Sequence, residues 1–193
     1  MSSSKQASGN ILRTRFYPHR LGPGLVPRKR LLELMEASSD VPLTLVAAPA
    51  GYGKSILASQ WCELHDDPVG WLSLSEDNSN IRSFLNYFVT ALESVSIEIF
   101  QNTKTSLLAP KLPTVPELAC DLLNDLDCLE THCALVLDDY QNIAAMSPVH
   151  ELISMLLKYP PQMFHLVIAT RRDPPLDLIK LRAENRINEI RLL

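Results

Sequence analysis

Residues 43–55 read Leu-Thr-Leu-Val-Ala-Ala-Pro-Ala-Gly-Tyr-Gly-Lys-Ser, and no other stretch limits the possible folds of this chain so strongly. The first six residues, Leu43 to Ala48, are almost wholly apolar and do not alternate. A strand buried on both faces of a parallel sheet has that composition. Lys54 to Leu64 then suits a helix. Between them, Ala48 to Ser55 follows the phosphate-binding spacing G-x-x-x-x-G-K-[ST], with Ala48 where the first glycine is usual. An alanine can stand there if its φ is negative. Gly51 and Gly53 allow the backbone to curl so that its N–H groups converge on an anion. The helix that follows adds the positive end of its dipole. Lys54 supplies a cation for β- and γ-phosphates, and Ser55 a hydroxyl for Mg²⁺. The other reading is a glycine turn with an accidental Gly-Lys-Ser, and the flanking strand and helix argue against it. The expected nucleotide-contacting set is Pro49, Ala50, Gly51, Tyr52, Gly53, Lys54, Ser55 and Ile56.

The remainder of the chain alternates in the same way. Arg28 to Ala37 reads as a short helix with Leu31, Leu32 and Met35 on one face. Val69 to Leu74 is a second strand, and Ile81 to Leu92 an amphipathic helix. Residues 95–113 fit no pattern clearly. Thr114 and Glu117 form a capping box ahead of Leu118, Leu122, Leu126 and Leu129. Ala134 to Leu137 is a third strand. Ser147-Pro148 opens a helix that stops at Pro160. Phe164 to Ala169 is a fourth strand, Asp177 to Glu184 a short helix, and Ile187 to Leu192 a fifth strand. Strands alternating with helices predict an α/β fold: a parallel sheet covered on both faces, the three-layer P-loop arrangement. There is no internal repeat.

Two further motifs fall at strand ends, where ligands of open parallel sheets bind. Leu135-Val136-Leu137-Asp138-Asp139 is an apolar strand running into two acids. Alone it could be a solvated turn. Downstream of a phosphate loop it reads as the Walker B pattern, with Asp138 holding Mg²⁺ and Asp139 polarising an attacking water. Ala169-Thr170-Arg171-Arg172-Asp173 ends the fourth strand. An arginine there can reach a γ-phosphate. Arg171 and Arg172 compete for the role, and Arg171 is nearer the strand end. A salt-bridged surface pair is the alternative.

Composition narrows the class. The net charge of −4 gives no overall nucleic-acid footprint. A local basic stretch, Arg13 to Arg30, could be solvated, lie near nucleotide phosphates or meet DNA. No apolar run is long enough to span a membrane and no signal segment precedes the polar start, so a cytoplasmic protein is expected. Residues 1–15 read as a disordered leader and 16–193 as the nucleotide-binding domain. Cys62, Cys120, Cys128 and Cys133 lack metal or disulfide spacing and suggest buried, reduced thiols. The chain stops at the end of its last strand, which suggests a piece of a longer protein.

Five segments in order resemble one family: Gly24-Leu25-Val26-Pro27-Arg28, AAPAGYGKS, Trp71-Leu72-Ser73-Leu74 with Asp77 and Asn78, LVLDDY, and ATRRDPPL followed by Leu181-Arg182. They are similar to the nucleotide-binding domain of MalT-like STAND ATPases, the large LuxR-type transcriptional activators. The resemblance implies a five-stranded sheet in which the Walker B strand does not adjoin the loop strand. It places Val26, Pro27 and Arg28 by adenine and ribose. It implies a slow switch that rests with ADP, responds to ATP and an inducer, self-associates, and binds DNA through a C-terminal helix-turn-helix outside these residues. The inducer-sensing region and the winged-helix module that closes over the nucleotide are expected elsewhere too. Asp139 in place of a glutamate is one methylene shorter and suits slow hydrolysis. The alternatives are a nucleotide-binding oligomerisation module without turnover and a metabolic kinase, for which no arginine-rich lid is evident.

Overall fold

The computed structural model describes residues 11–37, 41–95 and 98–191. Five strands form one sheet: β1 (Leu43–Ala47), β2 (Val69–Ser73), β3 (Cys133–Asp138), β4 (Phe164–Thr170) and β5 (Ile187–Arg191). Their order is β2-β3-β4-β1-β5, and every neighbouring pair is parallel. β4 therefore separates the loop strand β1 from the acid-bearing β3, as the resemblance implies. The expected α/β/α three-layer fold is the observed one.

The two faces of the sheet are packed differently, because successive side chains point to opposite sides. Leu43, Leu45, Leu135, Leu137, Leu166 and Ile168 belong to the larger core. That core is covered by α3 (Ile81–Glu93), α4 (Gln101–Leu108), α5 (Val115–Leu126), α6 (Val149–Lys158) and α7 (Leu178–Ala183). Val46, Ala134, Val136 and Val167 point the other way, onto α1 (Lys29–Glu36) and α2 (Lys54–Leu64). On this face Trp61 and Trp71 fill the space above the smaller strand residues, each 1 % exposed.

Local signals fix most helix starts. Thr114 and Glu117 make the expected capping box. Asn80 accepts from the Ser83 amide at 3.1 Å and starts α3. Ser147 Oγ accepts from the Val149 amide at 3.2 Å, with Pro148 at the cap. Within the unassigned 95–113 stretch, α4 forms because the buried Asp125 of α5 caps it from outside. The Asp125 carboxylate accepts from the Asn102 amide at 3.2 Å, the Thr103 amide at 2.8 Å and the Thr103 hydroxyl at 2.7 Å.

Two expectations change. Arg13–Phe16 is a 3-10 turn, and Arg15 bonds Asn78 at 3.2 Å and lies over the Tyr87 ring, so the end of the expected leader packs on the domain. Residues 1–10 of that leader, and Leu192 of the last predicted strand, lie outside the described residues. Cys120 and Cys128 are exposed rather than buried, because the apolar face of α5 is carried by Leu118, Leu122 and Leu126. Cys133 is buried as expected.

Candidate functional site

The carboxyl ends of β1, β3 and β4 converge on a cavity of about 420 Å³. Its lining brings together Ala50, Gly51, Gly53, Lys54, Ser55 and Ile56 of the loop and α2, Asp139 after β3, and Arg171 after β4. Gly51 and Gly53 have φ of +84° and +76°, conformations that side chains disfavour. Ala48 needs no such freedom. Among the described non-glycine residues only Asp139 and Asn185 have positive φ. The Ala48 amide bonds the Thr170 carbonyl at 3.2 Å, so the loop starts while still tied to β4.

Lys54 is 6 % exposed, and its ammonium donates to the Pro49 carbonyl across the loop at 3.0 Å. Burial, then the Arg171 guanidinium, pull it below the usual lysine range, while Asp139 and Asp138 oppose the shift. An anion with several negative oxygens would suit a cavity holding these two cations and the start of α2.

Beneath the loop, the Ser55 hydroxyl donates to Asp138 Oδ1 at 2.9 Å, and the Asp139 amide donates to the same oxygen at 2.9 Å. Asp138 Oδ2 is buried without a hydrogen-bond partner among the described residues. Burial raises this carboxyl above the usual carboxylate range, opposed by the Ser55 hydroxyl and reinforced by the charge of Asp139. A hydroxyl beside a buried carboxylate with one uncommitted oxygen is a donor set that fits Mg²⁺, a hard cation taking oxygen ligands and waters.

Asp139 turns back through a left-handed conformation, φ +56° and ψ +40°, which an aspartate tolerates better than most residues. Sequence reasoning missed the residue that holds it. Gln141 Nε2 donates to Asp139 Oδ1 at 2.7 Å, and Gln141 Oε1 accepts from the Arg171 amide at 3.0 Å. One amide thus ties the β3 acid to the β4 arginine. Its position two residues after the acidic pair was the available signal. His19 was also missed as a site residue. It lines the cavity although it lies far upstream, and nothing in its spacing points there.

The other expected residues lie around this centre. Arg28 Nη1 donates to the Tyr52 carbonyl at 2.8 Å, so Arg28 braces the outside of the loop. A Cβ on Gly53 would lie 3.2 Å from Arg28 Nη2. Tyr52 is 43 % exposed and Val26 80 % exposed. Pro27 lines a separate depression with Leu21, Leu32 and Gln60. Arg172 faces a neighbouring cavity with Tyr140 and His150, whereas Arg171 faces the loop. Asp173 forms ion pairs with Arg191 at 2.9 Å and Arg182 at 3.9 Å, joining the end of β4 to β5 and α7. No helix among the described residues is long and apolar enough to cross a membrane.

No protein-family model matches the chain. Curated relatives do. The HTH-type transcriptional regulators MalT of Vibrio parahaemolyticus, Vibrio campbellii and Vibrio cholerae are each 30 % identical over 174 residues, 90 % of this chain and 19 % of theirs. The chain thus spans about one fifth of the length of those relatives. Among solved structures, Cdc6p from Pyrobaculum aerophilum matches with a TM-score of 0.61 at 18 % identity, covering 94 % of this chain and 49 % of that one. The Walker-type ATPase PABY2304 of Pyrococcus abyssi matches with a TM-score of 0.53 at 15 % identity, covering 86 % and 53 %. These likenesses establish the fold alone. The chain is MalT-like over nine tenths of its length and has the P-loop fold.

Proposed function

We propose that the chain is the ATP/ADP switch of a larger signal-responsive transcription regulator and hydrolyses ATP slowly with Mg²⁺. The observation that carries the reading is the Ser55–Asp138 hydrogen bond at 2.9 Å, which joins the phosphate loop to the acidic strand beside an uncommitted carboxylate oxygen. Ser55 and Asp138 would hold Mg²⁺, which would neutralise charge on the β- and γ-phosphates. The loop amides and Lys54 bind the phosphates, and Arg171 meets the γ-phosphate. Asp139 accepts a proton from the attacking water. Its Oδ1 already accepts a hydrogen bond from Gln141 at 2.7 Å, so only the other oxygen is free to take that proton, which suits slow turnover. Val26, Pro27 and Arg28 flank the base and ribose, with Arg28 doubling as the brace of the loop. In the whole protein the ATP form would self-associate, with DNA bound by a separate C-terminal domain, all in the cytoplasm.

The engagement of Asp139 by Gln141 also favours a second reading, a nucleotide-binding module without turnover. Single-turnover release of phosphate from ATP separates the two. An Asp139→Asn variant keeps the left-handed backbone, because asparagine tolerates it, and loses the base. Slower release in the variant is the expected result. Equal release in both would leave only the binding module.

A further inference from the structure

His19 belongs to the segment ahead of α1, yet three contacts bring it to the metal side of the cavity. Its backbone amide donates to Ser59 Oγ at 3.0 Å, and that hydroxyl donates to the Ser55 carbonyl at 2.8 Å. The segment is thereby latched to α2 one turn beyond the serine expected to hold Mg²⁺. The imidazole stands edge-on to Trp71, with ring centroids 6.2 Å apart and planes at 88°. Its Nε2 lies 3.5 Å from Asp138 Oδ2.

The choice of oxygen matters. Asp138 Oδ1 already accepts from Ser55 and from the Asp139 amide. Oδ2 is the oxygen left for a cation or for a water in the cation's shell, and Mg²⁺ usually keeps several waters. A separation of 3.5 Å is too long for a strong hydrogen bond. It does suit two groups that share one water or adjust toward each other when a shell forms. The side chain of His19 is 55 % exposed and that of Asp138 1 % exposed. The imidazole thus approaches the pair from the solvent side and the carboxylate from the interior.

We propose that His19 is a positioning residue of the Mg²⁺·triphosphate site: acting through Asp138 Oδ2, it orients the metal's outer shell and couples the lead-in segment to metal binding. This rests on the nucleotide-site reading above. A residue that merely packs on Trp71 would affect stability but not the dependence on Mg²⁺. Outer-shell partners of metal ligands typically change metal affinity when removed, by about 10- to 100-fold in strongly bonded cases. The long, half-exposed contact here places the expected effect at the weaker end, about three- to tenfold.

The test is a Mg²⁺ titration of the chain with saturating ATP, followed by tryptophan emission, in wild type, His19→Ala and His19→Gln. Trp71→Phe identifies the signal, since the chain has two tryptophans. His19→Ala should raise the Mg²⁺ midpoint about three- to tenfold. His19→Gln, which keeps a hydrogen-bonding group at similar reach, should recover much of the loss. ATP affinity measured in excess EDTA should be the same in all three. A shared midpoint for wild type and His19→Ala, with both binding Mg²⁺·ATP, would overturn the proposal. So would equal weakening with and without Mg²⁺, which marks a structural role. A wild-type chain whose ATP binding ignores Mg²⁺ would overturn the site reading itself, a separate failure.

Discussion

Replacing Asp138 by asparagine should move stability and function in opposite directions. The residue is fully buried, and its two oxygens are unequal. Oδ1 has two donors at 2.9 Å, Ser55 Oγ and the Asp139 amide, while Oδ2 has none among the described residues. An asparagine keeps the doubly bonded oxygen and places a donor where the unpaired oxygen stood, facing His19 Nε2. It also removes a buried charge. Leaving a buried polar group unpaired costs about 1–3 kcal/mol, and more when it is charged. The variant should therefore gain about 1–2 kcal/mol without nucleotide, part of the full cost being retained in imperfect geometry. For a domain of this size that is a rise in Tm of roughly 2–8 °C. The sign of the pH dependence follows from the raised carboxyl. The native charge is disfavoured by folding, so wild type loses stability as pH rises through the carboxyl's range. The advantage of asparagine should be full above the folded pKa and vanish below the unfolded one. Thermal unfolding of both proteins in EDTA at pH 8 measures it. With Mg²⁺, the variant should lose about tenfold or more of the metal-dependent gain in ATP affinity. A variant less stable than wild type at pH 8 would refute the reasoning, because Asp138 would then be a satisfied structural carboxylate.

Two other predictions test the scaffold. Burial pushes the His165 imidazole down from 6.5 to about 4, with the Val41 carbonyl opposing. The unfolded chain then binds a proton that the folded chain refuses, so stability is full above pH 6.5 and falls toward pH 4. Linkage gives a loss of about 2 kcal/mol between pH 7.5 and 5, measured by urea unfolding. His165→Asn should flatten that part of the curve, and an unchanged slope would contradict it. Gly70→Ala should cost about 1–3 kcal/mol by overpacking. Its Cβ would lie 3.1 Å from the Ala91 carbonyl and Leu135 Cδ1, and 3.3 Å from Leu92 Cδ2. A neutral result in the same assay would mean that α3 can move off β2.

The strands and the loop were legible because their signals are local. Five apolar runs separated by helical periodicities leave few arrangements, and Gly-Tyr-Gly-Lys-Ser needs its own backbone to work. Only the separation of the acid-bearing strand from the loop strand followed from resemblance; the rest of the order was not legible, since pairing of β1 with β4 is a contact between distant segments. What stayed hidden is also long-range. α4 has a weakly apolar face and is started by Asp125, more than twenty residues downstream. Its own sequence carries no cap. His19 was visible only as one member of a basic stretch, because its role depends on a latch to Ser59 that no spacing reveals. Gln141 was passed over for its acidic neighbours, although it joins Asp139 to Arg171. The exposed Cys120 and Cys128 show the converse error, a residue type read as buried where leucines already fill the face.

The central claim is that the loop at 48–55 binds the phosphates of Mg²⁺·ATP. Titration calorimetry of ATP with Mg²⁺ into wild type and Lys54→Ala tests it most directly. Lys54 is the cation within the loop itself, and hydrogen bonds to charged groups contribute about 1.5–3 kcal/mol. Affinity should fall at least about tenfold in the variant. Equal affinity in the two proteins would contradict the account.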